Sequence, residues 1–115
     1  MPRNYLDYLD DMIAAMNDAQ RFVENMTLDQ FLADKKTQYA VVKAIEIVGE
    51  ATKKIPDEIK IQEPSLDWKS MSGARDVLSH GYFGIDYAMI WRIVAVHFPV
   101  DKERLITLKS RLTKL

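Results

Sequence analysis

A chain of 115 residues has room for one hydrophobic core and not for two, so it reads as one domain, residues 1–115. Hydrophobic residues make up 48% of it and the charges nearly cancel at a net charge of -1, which excludes a disordered chain and leaves no bulk charge to draw in a nucleic acid. With no cysteine, disulfides, thiolate catalysis and thiolate metal sites fall away together.

Acidic residues interrupt the N-terminal stretch MPRNYLDYLDDMIAAM where a signal peptide has its apolar segment, and no run approaches the roughly 20 apolar residues of a membrane span. A cytoplasmic protein with no membrane contact is expected. Charge is nonetheless sorted along the chain. Residues 1–34 carry seven acidic side chains against Arg3 and Arg21, whereas residues 102–115 carry Lys102, Arg104, Lys109, Arg111 and Lys114 against Glu103. A basic terminal helix can hold a phosphate backbone or simply present a solvated face, and composition does not choose between them.

Leu6, Leu9, Ile13 and Met16 recur at helical spacing with Asp7, Asp10, Asp11 and Asp18 between them, predicting an amphipathic helix from Tyr5 to about Glu24. Thr27 with Gln30 three residues on has the form of a capping box and opens a short helix through Phe31 and Leu32. Tyr39, Val41, Val42, Ile45, Ile47, Val48 and Ile55 then give a central helix an apolar surface too wide for one contact. Gly49 inside it costs about 1 kcal/mol of helix propensity relative to Ala, which close helix packing would explain.

Pro56 and Pro64 bracket a connector with room for one helical turn. From about Ser65, the residues Leu66, Trp68, Met71, Val77 and Leu78 predict a helix that stops at Gly81 in a left-handed C-cap, with His80 in its last turn. Asp86 is the N-cap of a helix running to about His97, Pro99 breaks it, and a last helix uses Leu105, Leu108 and Leu112. His97 is expected to cap that helix end or pack there, and Tyr5, Tyr8, Tyr39 and Tyr87 are assigned to packing. The fold class is all-α, an antiparallel bundle of four to five main helices.

The chemistry concentrates in residues 73–87, GARDVLSHGYFGIDY. Asp76 and His80 are four apart on one helix face, so the carboxylate favours the charged imidazole, and the helix C-terminus pushes the same way. Arg75, five residues from His80, lies roughly 140° around an ideal helix, so one ligand is shared only where the helix end unwinds or the side chains reach around. Arg75 and Asp76 as surface ion pairs with His80 as a C-cap is one reading. The other makes His80 a proton-transfer group and Arg75 a phosphate clamp, which is what metal-free phosphodiester cleavage needs. Two histidines and no cysteine form no metal-ligand pattern, so no metal and no cofactor are expected.

The run Arg75-Asp76-Val77-Leu78-Ser79-His80-Gly81-Tyr82 has the form R-x4-H-x-Y and resembles the motif of HepT-like ribonuclease toxins in the HEPN superfamily. The likeness extends through EIVGEA at 46–51, Trp68, HGYFGID at 80–86, Trp91 and Pro99. The resemblance implies a metal-independent endoribonuclease acting as a homodimer with a shared cleft, leaving 2′,3′-cyclic phosphate ends on RNA. In it Arg75 would bind the scissile phosphate, His80 would act as acid or base, and Asp76 would orient them. It also implies a partner, an MNT-domain nucleotidyltransferase antitoxin that transfers AMP to Tyr82 and assembles with the toxin. A non-catalytic HEPN module that binds such a nucleotidyltransferase or its nucleotide is the alternative, and a helical dimerisation adaptor a third.

Overall fold

The structure is a computed structural model that describes residues 3–73 and 84–114. Its described residues form helices and turns, with no strand among them. Helix α1, Tyr5–Phe22, starts at Asn4, whose Oδ1 accepts from the amides of Leu6 and Asp7 at 2.8 and 3.3 Å. Asp7 returns the bond by accepting from the Asn4 amide at 3.0 Å, so the reciprocal cap is built from Asn and Asp. The helix buries Leu9, Met12, Met16 and Ala19, one stripe at spacings of three and four; of the predicted stripe Leu9 and Met16 lie at its centre, while Leu6 and Ile13 are partly buried at its edge. Asn25 then takes a positive φ of 64° in the turn that follows, a conformation Asn tolerates better than most side chains.

Thr27 and Gln30 form the predicted capping box of α2, Leu28–Leu32, with bonds of 2.8 and 3.2 Å. That short helix delivers Phe31 into the core fully buried. Asp34 caps α3, Lys35–Lys53, accepting from the Thr37 amide at 3.1 Å and from its hydroxyl at 2.8 Å. Helix α3 is the central element, packed against α1, α2 and α5, and it buries Val41, Ala44, Ile45, Val48 and Ala51. Of the other residues expected there, Val42 is half-buried and two turn outward. Tyr39 is 65% exposed and Ile47 39%, because the buried stripe runs through 38, 41, 45, 48 and 52 and leaves both on its outer flank. Gln38, one residue before Tyr39, lies on the buried stripe, and its amide donates to the carbonyls of Phe31 and Leu32 at 2.9 and 3.1 Å.

The connector holds one helical turn, α4, Asp57–Lys60, opened by Pro56. Helix α5, Trp68–Ser72, begins later than the apolar pattern predicts because Asp67 caps it, accepting from Ser70 N at 3.0 Å and Ser70 Oγ at 2.6 Å. Trp68 is buried with its indole N–H donated to the Glu63 carbonyl at 3.0 Å.

Pro99 does not end a helix. Helix α6, Tyr87–Arg92, capped by Asp86 as predicted, passes into a π-helical segment, Ile93–His97, and then into α7, Phe98–Thr113, with helical backbone angles at each junction. The Phe98 amide bonds the Ile93 carbonyl five residues back. This widened turn sits just ahead of Pro99, which lacks an N–H and whose ring would otherwise meet the carbonyl four residues earlier. Placed in the first turn of α7, Pro99 occupies a position the helix tolerates. His97 is therefore mid-run, exposed, and makes no side-chain cap bond.

Part of the sorted charge is used within the molecule. Lys109 pairs with Asp10, Lys102 donates to Asn17 at 3.4 Å, and Arg111 donates to the Gln62 carbonyl at 3.0 Å beside Glu63. Contacts of this kind dock α7 across α1 and the connector, and each exposed pair adds little stability by itself. None of the helices among the described residues is long and apolar enough to cross a membrane.

Candidate functional site

Arg75, Asp76, His80 and Tyr82, together with the Gly81 cap, lie outside the described residues. What the structure fixes is the pair of anchors on either side of them. Upstream, Trp68 and Met71 bury α5 against α3. Downstream, Gly84 takes a φ of 101°, open to a glycine and strained for other residues, and Asp86 then starts α6 by accepting from the Met89 amide at 3.1 Å. Tyr87 and Trp91 fasten that helix to Phe31, with ring centroids 6.3 and 5.5 Å away.

A cavity of about 500 Å³ lies between α3, α5 and the helical run that follows Tyr87. Its apolar lining comes from all three surrounding elements, with Ile45 and Val48 from α3, Met71 from α5, and Met89, Ile93 and Phe98 from the downstream helical run. Its polar lining is Ser65, Asp67, Ser70, His97, Asp101 and Arg104.

The two carboxylates differ. Asp67 has both oxygens committed to Ser70, and those bonds, the hydroxyl first, hold its pKa below the usual value. Asp101 accepts no hydrogen bond among the described residues, and burial pushes its pKa up against the opposing pull of His97 and Arg104. Arg104 is held by donating to the Ser65 carbonyl at 2.8 Å.

Sequence reading missed this cluster. His97, Asp101 and Arg104 fall at i, i+4 and i+7, one face of one helix, a signal hidden by ending the helix at Pro99.

A second, more open groove of about 430 Å³ runs between α1 and α3. Glu46 and Glu50 of the EIVGEA stretch line it with Tyr8, Asp11, Lys43 and Lys54. Arg3 pairs with Asp11 at 2.9 Å and lies 4.9 Å above the Tyr8 ring. Among the described residues no three His, Asp or Glu side chains are grouped to hold a metal ion.

Comparison with known proteins bears on the whole chain. The family described as "Ribonuclease HepT-like" matches residues 12–108. "Probable ribonuclease HepT" of Thermococcus cleftensis is 40% identical over 115 residues, all of this chain and 98% of that protein. "Putative RNase MJ0127" of Methanocaldococcus jannaschii is 45% identical over 94 residues, 82% of this chain and 78% of its own length. No solved structure matches at a significant level. With the helical fold, the family match over residues 12–108 and a relative 40% identical over 98% of its length, the chain belongs to the HepT-like ribonuclease family.

Proposed function

We propose that the chain is a metal-independent endoribonuclease toxin of the cytoplasm, working as a homodimer and neutralised by an MNT-domain nucleotidyltransferase antitoxin. The observation that carries the reading is the intact run Arg75–Tyr82, R-x4-H-x-Y, in a chain matched to the family over residues 12–108.

Cleavage of RNA without metal needs three things of the protein. A base takes the proton of the 2′-hydroxyl as its oxygen attacks phosphorus, an acid gives a proton to the departing 5′-oxygen, and a cation stabilises the charge gathering on the phosphoryl oxygens. An imidazole can both take and give a proton, which suits His80 to either transfer. Arg75 supplies a planar fork matched to phosphate, and Asp76 orients the pair. One protomer offers one such histidine in the motif. A second copy brings the other, so that one His80 serves as base while the other serves as acid, and the roughly 140° that an ideal helix would set between Arg75 and His80 no longer matters. The products are a 2′,3′-cyclic phosphate and a 5′-hydroxyl.

Tyr82, two residues from His80, is the acceptor for AMP. Its phenol oxygen attacks the α-phosphorus of ATP, diphosphate leaves, and the new phosphodiester places bulk and negative charge where RNA phosphate must approach. The test is incubation of purified chain with cellular RNA in excess chelator, followed by analysis of the product ends. Cyclic phosphate on the new 3′ ends is the expected result. Cleavage that stops in chelator, or ends bearing 5′-phosphate, overturns the proposal.

A further inference from the structure

The cavity between α3, α5 and the helical run Tyr87–Thr113 is not used by the proposed chemistry, yet its lining comes from the helices on both sides of the segment that carries it. Met71 precedes Arg75 by four positions and Met89 follows Tyr82 by seven. At about 500 Å³ it falls within the range of small-molecule sites, apolar with a few convergent polar groups. The polar groups narrow what fits.

Phosphate is disfavoured, because two carboxylates, Asp67 and Asp101, face the space. A metal ion would find one uncommitted carboxylate and His97, too few ligands for a held site. A purely apolar ligand would strand the Asp101 carboxylate, which accepts no bond among the described residues. What remains is a flat, neutral ligand. Its faces rest on Met71, Met89, Ile93 and Phe98, its donors meet Asp101, and its acceptors meet Arg104, whose remaining N–H groups have no partner among the described residues.

We infer that this cavity is a base-recognition subsite that takes a guanine of the RNA, with Asp101 reading its N1–H and 2-amino donors and Arg104 its O6 and N7 acceptors. Of the four RNA bases only guanine sets two adjacent donors beside acceptors. Adenine, cytosine and uracil each place an acceptor next to their donor, where it meets a carboxylate oxygen. Arg104 is pre-positioned for this by its bond to the Ser65 carbonyl, 2.8 Å, and Asp101 by its place three residues before it on α7. The inference rests on the ribonuclease reading for its ligand, and it makes the enzyme selective for RNA that offers a guanine to this cavity.

The test uses the full chain with methyl-labelled methionine, titrated with GMP, AMP, CMP and UMP, so that the phosphate is constant and only the base varies. GMP should shift the Met71 and Met89 methyl signals while leaving the buried Met12 and Met16 of α1 in place, and should bind on the order of tenfold tighter than the other three. IMP, which lacks the 2-amino group, should fall between. Asp101→Asn should erase the preference for GMP without changing helical content. Equal response to all four nucleotides, or a GMP preference that survives Asp101→Asn, overturns the inference. A chain that fails to cut RNA but shows the GMP preference, lost in Asp101→Asn, retains the subsite and loses the ribonuclease reading. A chain that cuts RNA while GMP leaves Met71 and Met89 unmoved does the reverse.

Discussion

The ring of Phe31 lies 5.5 Å from that of Trp91, tilted by 43°, and 6.3 Å from Tyr87, nearly edge-on at 72°. A five-residue helix thus holds the start of α6, the helix that leaves the downstream anchor of the Arg75–Tyr82 segment. Phe31→Ala removes a fully buried ring and leaves a cavity, at a cost of about 3–5 kcal/mol, a large part of the roughly 5–15 kcal/mol that holds a domain folded. Urea unfolding should show the midpoint falling accordingly, with Phe31→Leu losing clearly less.

Gln38 ties the end of α2 to α3 through its two bonds to the Phe31 and Leu32 carbonyls. Gln38→Ala strips both acceptors of their partner and should cost about 1–3 kcal/mol, read by the same unfolding curve. An unchanged midpoint would mean the amide carries none of that junction.

The two carboxylates of the cavity should respond to pH with opposite signs. Asp67 has a lowered folded pKa, so its contribution to stability is present above the unfolded value near 3.8 and is lost as pH falls through the folded one. Asp101 has a raised folded pKa, so the folded state holds its proton more tightly and stability falls as pH rises from 3.8 through the raised value. Asp101→Asn should therefore unfold at a higher temperature than the parent at pH 7, and the difference should shrink as pH is taken down through the carboxylate range. Equal unfolding temperatures at pH 7 would contradict the burial of that charge.

Much of this fold was legible because helices announce themselves by period and cap. The stripe of α1, the Thr27–Gln30 box and the Asp86 cap each rest on local rules that tertiary contacts reinforced. Pro99 was misread for a physical reason. Proline stops a regular α-helix, and nothing in the local sequence reveals that the preceding turn widens to an i→i−5 bond that lets the chain continue. Tyr39, expected in the core, is exposed while its neighbour Gln38 is buried, because one residue of register, set by packing on α1 and α2, decides which faces inward. The cavity was illegible for another reason, since Ile45, Met71 and Asp101 meet only after the helices pack. The R-x4-H-x-Y run, by contrast, is a property of sequence, and its residues fall outside those described.

Tyr82→Phe deletes the hydroxyl that accepts AMP and leaves the proposed cleaving pair intact. That variant should cut RNA as the parent does and should keep an unmodified mass after incubation with ATP and the antitoxin, whereas the parent gains one AMP and loses activity. Parent chain that gains AMP at another residue would move the regulatory site elsewhere.

The measurement that bears most directly on the central claim compares the parent with Arg75→Ala and His80→Ala on total cellular RNA in chelator, with circular dichroism as the folding control. The account predicts cleavage by the parent alone, a loss of about 10²-fold or more in each variant, and the same helical content in all three. Correctly folded Arg75→Ala and His80→Ala chains that cut RNA at the parent's rate would contradict it.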